Sequence, residues 1–437
     1  MKNNKTGIFP RSVVLLFTAI ILGLAWAARG SFGHEQGAAW AGAMGTLALL
    51  AVSQREDWLK KAPVLMALGG IGWAVGGMMS YGVVLAYAMG NDLTNIYYGL
   101  TSIALLGALY GFIGGGFFAL GIESTDDHKP NWAALVTEMF VGGFLIWGFF
   151  IYQLEWFMTP PRSELWAAVL GAAIALAWHL HRNGYHKALR VAGFTALGAG
   201  FGFSFGNFLM VAGRTLHLSY NWWNVMEFLI GFLGGLGMAY AVITTRWPKT
   251  SKVSDNSNWF ALLFIVLFVP LINYAEQFTS EDFIKLAGKL HVDGIESFVA
   301  FNKIIGLVII AVVTVVFVLT WKKYKDDGEK LIGNIVPILA LVFAFYYIVF
   351  TILNNGLHYM GFPIGDSVTL YLPLLFVAYV IWYVNRRKKV VFADSAEVPV
   401  KVSTWLKYSG VFLIILFVLA LIILWYFGGD AAPKRFK

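Results

Sequence analysis

Apolar runs of roughly twenty residues, set apart by short polar connections, recur along the whole chain. Thirteen stand out, at about 13–30, 36–53, 62–89, 99–122, 132–151, 165–181, 190–213, 224–244, 259–275, 301–321, 334–353, 367–384 and 405–427. A helix rising 1.5 Å per residue needs about twenty apolar residues to cross ~30 Å of hydrocarbon, whereas barrel strands are about ten residues long and alternate in polarity. The pattern therefore predicts an all-α, polytopic helical membrane protein with about thirteen transmembrane helices. Composition points the same way, since 59% hydrophobic and 13% charged residues over 437 positions cannot cover a soluble surface of that size. Its partner is a lipid bilayer.

The connections add an orientation. With the N-terminus inside, the inner segments hold 23 of the 32 Lys and Arg residues, among them Lys2, Lys5 and Arg11, Arg55, Lys60 and Lys61, Arg246, Lys249 and Lys252, and Arg386 to Lys389. Because that bias recurs loop after loop, it reads as a positive-inside signal: N-in and C-out, in the plasma (cytoplasmic) membrane. The formal charge of +8 is accounted for by these clusters, so no nucleic-acid partner is expected. The opening MKNNKTGIFPRSVVLLF resembles a signal peptide but lacks a small-x-small cleavage site, and an uncleaved first helix is expected.

Two regions differ in texture. Residues 1–250 hold 36 of the 47 glycines, so close backbone approach is expected there, in about the first eight spans; residues 251–437 form a second helical region. Within the first, GLAWAARG (23–30), GIGWAVGG (70–77) and GAGFGFSF (198–205) share a glycine followed three residues on by an aromatic. Their partner runs share small-x-x-Gly pairs: Gly42 and Gly45, Gly111 and Gly114, Ala168 and Gly171, Gly231 and Gly234. Four tandem helical hairpins are expected, with Glu164 and Glu227 at equivalent positions. Pro270, Pro337 and Pro373 should kink or start later spans. The outer segment near 276–300 spaces Phe278, Phe283, Ile284, Leu286 and Leu290 as a short interfacial helix would.

Candidate chemistry gathers at Gly23–Gly45, GLAWAARGSFGHEQGAAWAGAMG, which sets Arg29, His34 and Glu35 between two apolar runs. Gly30, Gly33 and Gly37 suggest a broken element lining a cavity. Trp26 and Arg29 are three apart on one helix face, so the guanidinium can rest on the indole or reach an anionic ligand; a snorkelling arginine in a solvated loop is the alternative. Asn207, Arg214, Glu227 and His358 are the further candidates for substrate binding on that side. Asn207 has an interhelical hydrogen bond as its alternative role. Glu138 is either a relay group or an ion-pair partner. His179, His181 and His186 lack a metal-ligand spacing and read as a basic cluster, and no metal is expected.

There is no GxxxxGKS phosphate loop and no HExxH, and no cofactor is expected. The triplet Gly206–Phe208 (GNF) resembles the core of prolipoprotein diacylglyceryl transferases, but the arginine before it and the Asn and Glu after it that complete that motif are absent, so no family follows. The leading expectation is a secondary transporter of a small polar or anionic solute. Arg29 would hold the solute's anionic group, Glu35 or Glu227 would titrate or bind a coupling cation, and Trp26, Trp40 and Trp73 would stack on the solute. The alternatives are a membrane-embedded transferase for a lipid-linked or envelope substrate, with His34 as general base and Glu35 orienting it, and a structural subunit of an envelope complex.

Overall fold

The computed structural model describes residues 11–29, 33–53, 55–326, 346, 348–356, 401–429 and 432–436. Among these the regular structure is all helical, with no strand. The expected span at 367–384, most of that at 334–353, and His358 lie outside the described residues.

Five helices start where a polar connection supplies a capping oxygen. Asp92, Asn131, Asn221, Ser254 and Thr279 each accept from a backbone N–H in the first turn that follows. The elements are α1 (Arg11–Ala28), α2 (His34–Ser53), α3 (Glu56–Leu59), α4 (Ala62–Gly77), α5 (Gly82–Tyr87), α6 (Leu93–Glu123), α7 (Trp132–Trp147), α8 (Leu165–Arg182), α9 (His186–Thr215) and α10 (Trp222–Ile243). There follow α11 (Asp255–Leu263), α12 (Val269–Gln277), α13 (Ser280–Leu290), α14 (Ile295–Tyr324) and α15 (Val402–Ile422). Wider π turns extend α7 and α15 and join α11 to α12. Among the described residues nine helices are long and apolar enough to cross a bilayer, with α4 a shorter apolar helix. The protein is thus a multi-pass helical membrane protein.

Six helices close into a ring. In order around it, α1 packs on α2, α2 on α4, α4 on α6, α6 on α9, α9 on α10, and α10 returns to α1. The α7–α8 pair lies outside, against α6 and α9, while α11 and α12 cover α4 and α2, and α15 covers α6 and α9. Trp73 of α4 fills the middle: a Cβ on Gly42 would lie 2.6 Å from its ring, one on Gly114 2.5 Å, and one on Gly234 3.0 Å. The indole therefore needs a missing side chain on three neighbouring helices.

Two local departures from the expected spans have physical causes. The run at 62–89 is broken: α4 stops at Gly77, residues 79–81 are non-helical, and α5 resumes at Gly82. Paired glycines at 76 and 77 make helix continuation costly, and Tyr81 at the break is hydrogen-bonded to other helices. At Pro270, which has no N–H, the carbonyl of Val266 one turn earlier instead accepts from the Thr314 hydroxyl of α14 at 3.1 Å.

The segment near 276–300 forms α13, an exposed amphipathic helix burying Phe283 and Ala287 but leaving Ile284 exposed. The C-terminal tail docks at the start of α6, where the Asn95 amide accepts from the backbone of Arg435 and Phe436 and donates to the Phe436 carbonyl. Since α4 runs parallel to α1 and α6 returns, that tail lies at the opposite face of the ring from Arg11.

Candidate functional site

Arg29 is the first residue past α1 and is 1% exposed. Its Nε and Nη2 donate to Glu227 Oε2 at 3.2 and 3.1 Å. Glu227, 3% exposed, lies one turn into α10. Tyr81 completes the cluster from the α4–α5 break: its hydroxyl donates to Glu227 Oε1 at 2.8 Å and accepts from Arg29 Nη2 at 3.1 Å. Arg29 Nη1 donates to the backbone carbonyl of His34 at 3.5 Å. The guanidinium also rests on the Trp26 indole, 4.6 Å from the ring centroid, which is the contact the three-residue spacing allows.

The backbone is arranged to permit this. Gly37, on the first turn of α2, lies so close to Arg29 that a Cβ there would overlap the Arg29 carbonyl oxygen. On α10, Glu227 and Gly231 share a face four residues apart, and Gly231 lets the helix settle against Leu22 and Trp26 of α1. Removing two charges from water costs several kcal/mol each, and only close pairing with further hydrogen bonds offsets it. Here three Arg29 nitrogens and both Glu227 oxygens are engaged, so the pair is nearly saturated.

Beneath the pair, aromatic rings fill the ring of helices. Trp26 meets Trp73 edge-on at 4.8 Å and Tyr110 at 5.2 Å, while Phe203 meets Tyr81 at 5.2 Å. This interior is not satisfied as a hydrophobic core would be. The indole N–H groups of Trp26 and Trp73, the Tyr110 hydroxyl and both amide atoms of Asn207 are buried without a hydrogen-bond partner among the described residues. Asn207 is 0% exposed and sits one turn beyond Phe203 on the same face of α9. Each such group costs about 1–3 kcal/mol if left unpaired, so this interior is suited to taking up water or a polar group. Replacing Asn207 with leucine, similar in volume but apolar, is expected to leave the thermal unfolding midpoint unchanged or raised; a fall of several degrees would show that the amide makes structural bonds.

The other candidates do not join the ion pair. Glu35 is exposed; His34, also exposed, meets Tyr81 edge-on at 5.9 Å, and its backbone carbonyl accepts from Arg29. His34 and Glu35 already belong to α2, so the expected irregular stretch through Gly37 is shorter than its glycines suggest. Arg214 is exposed at the end of α9. Glu164, at the position set equivalent to Glu227, instead pins its own loop, accepting from the backbone of Met158 and Thr159 and from the Trp166 indole. Glu138 pairs with His179 at 2.9 Å and with Arg182, so a carboxylate does join the basic cluster. Residues 202–206 (GFSFG) have the G-x-S-x-G spacing of a nucleophile elbow. Ser204 nevertheless lies mid-helix, fully buried, donating to the Leu100 carbonyl at 2.8 Å, and makes no elbow.

Tyr81, Tyr110 and Phe203 are the site residues that pattern reading missed. The one available signal was the glycine content flanking Tyr81, at 76, 77 and 82. Comparison with protein families, with curated proteins and with solved structures finds no match. Function is therefore argued from geometry.

Proposed function

We propose that the protein is a secondary transporter of a small anionic solute, with Arg29 as the solute's anchor and Glu227 as its exchange partner. The observation carrying this reading is the buried Arg29–Glu227 pair, set against a helix break and above an interior of unpaired polar groups. Ionisable residues at membrane depth are expensive and tend to sit where solute or ions pass, and interrupted helices recur at transporter binding sites.

In the state described, Glu227 occupies the guanidinium. Protonation of Glu227 removes its charge and leaves Arg29 short of a counter-ion, so a solute carboxylate, sulfate or phosphate takes the vacated place. Loss of the proton returns Glu227 and expels the solute. Solute and Glu227 carboxylate thus compete for one cation, which couples solute movement to a proton. The buried indoles, the Tyr110 hydroxyl and Asn207 would supply polar contacts along the way. The same reading takes the chain as thirteen spans in the cytoplasmic membrane, N-terminus inside, with the first eight as four hairpins.

Liposomes containing the purified protein, given an inward proton gradient, are expected to accumulate a member of a broad panel of small anions. Glu227→Gln, fixed as a neutral isostere, is expected to retain solute exchange while losing accumulation driven by the gradient. No uptake of any panel member by the wild-type protein would rule the transporter out.

A further inference from the structure

A second polar site lies at the opposite end of the ring from Arg29, on the face where α1 begins. A cavity of about 790 Å³ opens there between the α3–α4 turn, residues 249–253, the start of α11 and the end of α14. Six basic residues line it: Arg55, Lys60, Lys61, Lys249, Lys252 and Lys325. Three of them are neutralised locally, Arg55 by Asp57, Lys60 by Glu56 and Lys325 by Asp255. Lys61, Lys249 and Lys252 have no carboxylate within ion-pairing distance among the described residues, and the remaining acidic residue of the described lining is Asp326.

Lys61 is the residue that topology signals do not explain. Basic residues that set orientation work from solvent, yet Lys61 is 3% exposed. Among the described residues its Nζ donates only to the Ser251 carbonyl, at 3.3 Å, although an ammonium carries three donors. Burial pushes this ammonium down to about 8 although Asp57 and Asp126 pull it the other way. A buried cation held at such a cost, beside a cavity whose described lining carries six basic and four acidic residues, suits an anionic ligand.

The cavity walls are built rather than incidental. Arg55 donates to the carbonyls of Trp247 and Pro248, Asp57 accepts from the Thr250 backbone, and the Asn258 amide donates to the Lys60 carbonyl, so three segments are pinned around Lys61. We infer that this cavity binds a phosphate-bearing anion, with Lys61 as the buried contact and Lys249 and Lys252 at the rim. The anion is either free phosphate or the headgroup of an anionic lipid. The inference is independent of the transport reading, since no residue is shared with the Arg29 site.

The test uses the full chain purified in detergent and stripped of lipid. One arm titrates inorganic phosphate and follows heat. The other offers mixed micelles of phosphatidylglycerol or phosphatidylcholine and counts retained lipid by native mass spectrometry. Wild type is expected to bind phosphate, or to retain phosphatidylglycerol over phosphatidylcholine. The Lys61→Met variant should weaken that binding by about tenfold or more, as truncating a buried charge contact does. Lys252→Glu, at an exposed position, should fold as wild type and weaken it several-fold. Phosphate binding identifies the free ion as sufficient, and lipid selectivity without it identifies the headgroup. Wild-type binding of neither probe overturns the inference. So does undiminished binding by Lys61→Met or, should that variant not fold, by Lys252→Glu.

Discussion

Arg29→Ala is expected to destabilise the protein by about 3–5 kcal/mol, because it strands the Glu227 carboxylate in an interior with only the Tyr81 hydroxyl to serve it. Solute uptake should be abolished as well. The two losses have different origins, and a double variant separates them. Arg29→Met with Glu227→Met removes both charges and fills similar volume, which in buried pairs is often neutral or stabilising. Stability, read as the denaturant midpoint in detergent, should therefore recover most of the way to wild type. Uptake into liposomes should not recover at all. If the double variant regained uptake, the pair would be a structural clamp and the proposed role of Arg29 as solute anchor would fail. If it remained as unstable as the single variant, the energetic cost would lie in the surrounding hydrogen bonds rather than in the unpaired charge.

Gly37→Ala is expected to harm both stability and uptake through a single methyl group. That methyl would meet backbone, the Arg29 carbonyl, which has no rotamer by which to give way. Overpacking of this kind costs about 1–3 kcal/mol, sometimes more. Its position adds a functional consequence, because relief requires α2 to move away from the end of α1, where the guanidinium is held against His34 and Glu227. Uptake should fall more steeply than stability, since displacement by about 1 Å is enough to misplace a binding constellation. Gly410→Ala is the control: a Cβ there meets nothing within 4 Å, and neither property should change. Equal behaviour of the two variants would mean that α1 and α2 adjust freely at their junction.

The local signals in the chain were good guides to local structure. Eleven of the thirteen apolar runs fall largely on described residues; ten coincide with helix and 62–89 with two helices and a break, because the cost of exposing backbone to hydrocarbon acts residue by residue along a segment. Capping residues such as Asp92 and Thr279 marked helix starts for the same local reason. The Trp26–Arg29 contact was legible too, being a property of helical spacing alone. Breaks were less legible. The 62–89 run reads as continuous, and the bonds from Tyr81 to Arg29 and Glu227 that accompany its break come from distant parts of the chain.

Partner choice was decided elsewhere. Arg29 and Glu227 are 198 positions apart, and Glu227 was one of several acidic candidates of similar merit on paper. What selects it over Glu35 is which helix faces close the ring. Burial makes an unpaired charge intolerable only once α10 has docked on α1, so Glu35, left outside that contact, carries no such constraint. The surplus cation at Lys61 is invisible in sequence for the same reason, since the Lys60–Lys61 pair looks like any topology signal until folding buries one member and leaves the other in solvent. Hydropathy along the chain determined the membrane class and the helices by itself, because it depends on neighbours in sequence. Which charges meet, and which are left wanting a counter-ion, depended on neighbours in space, and only the tertiary structure supplied those.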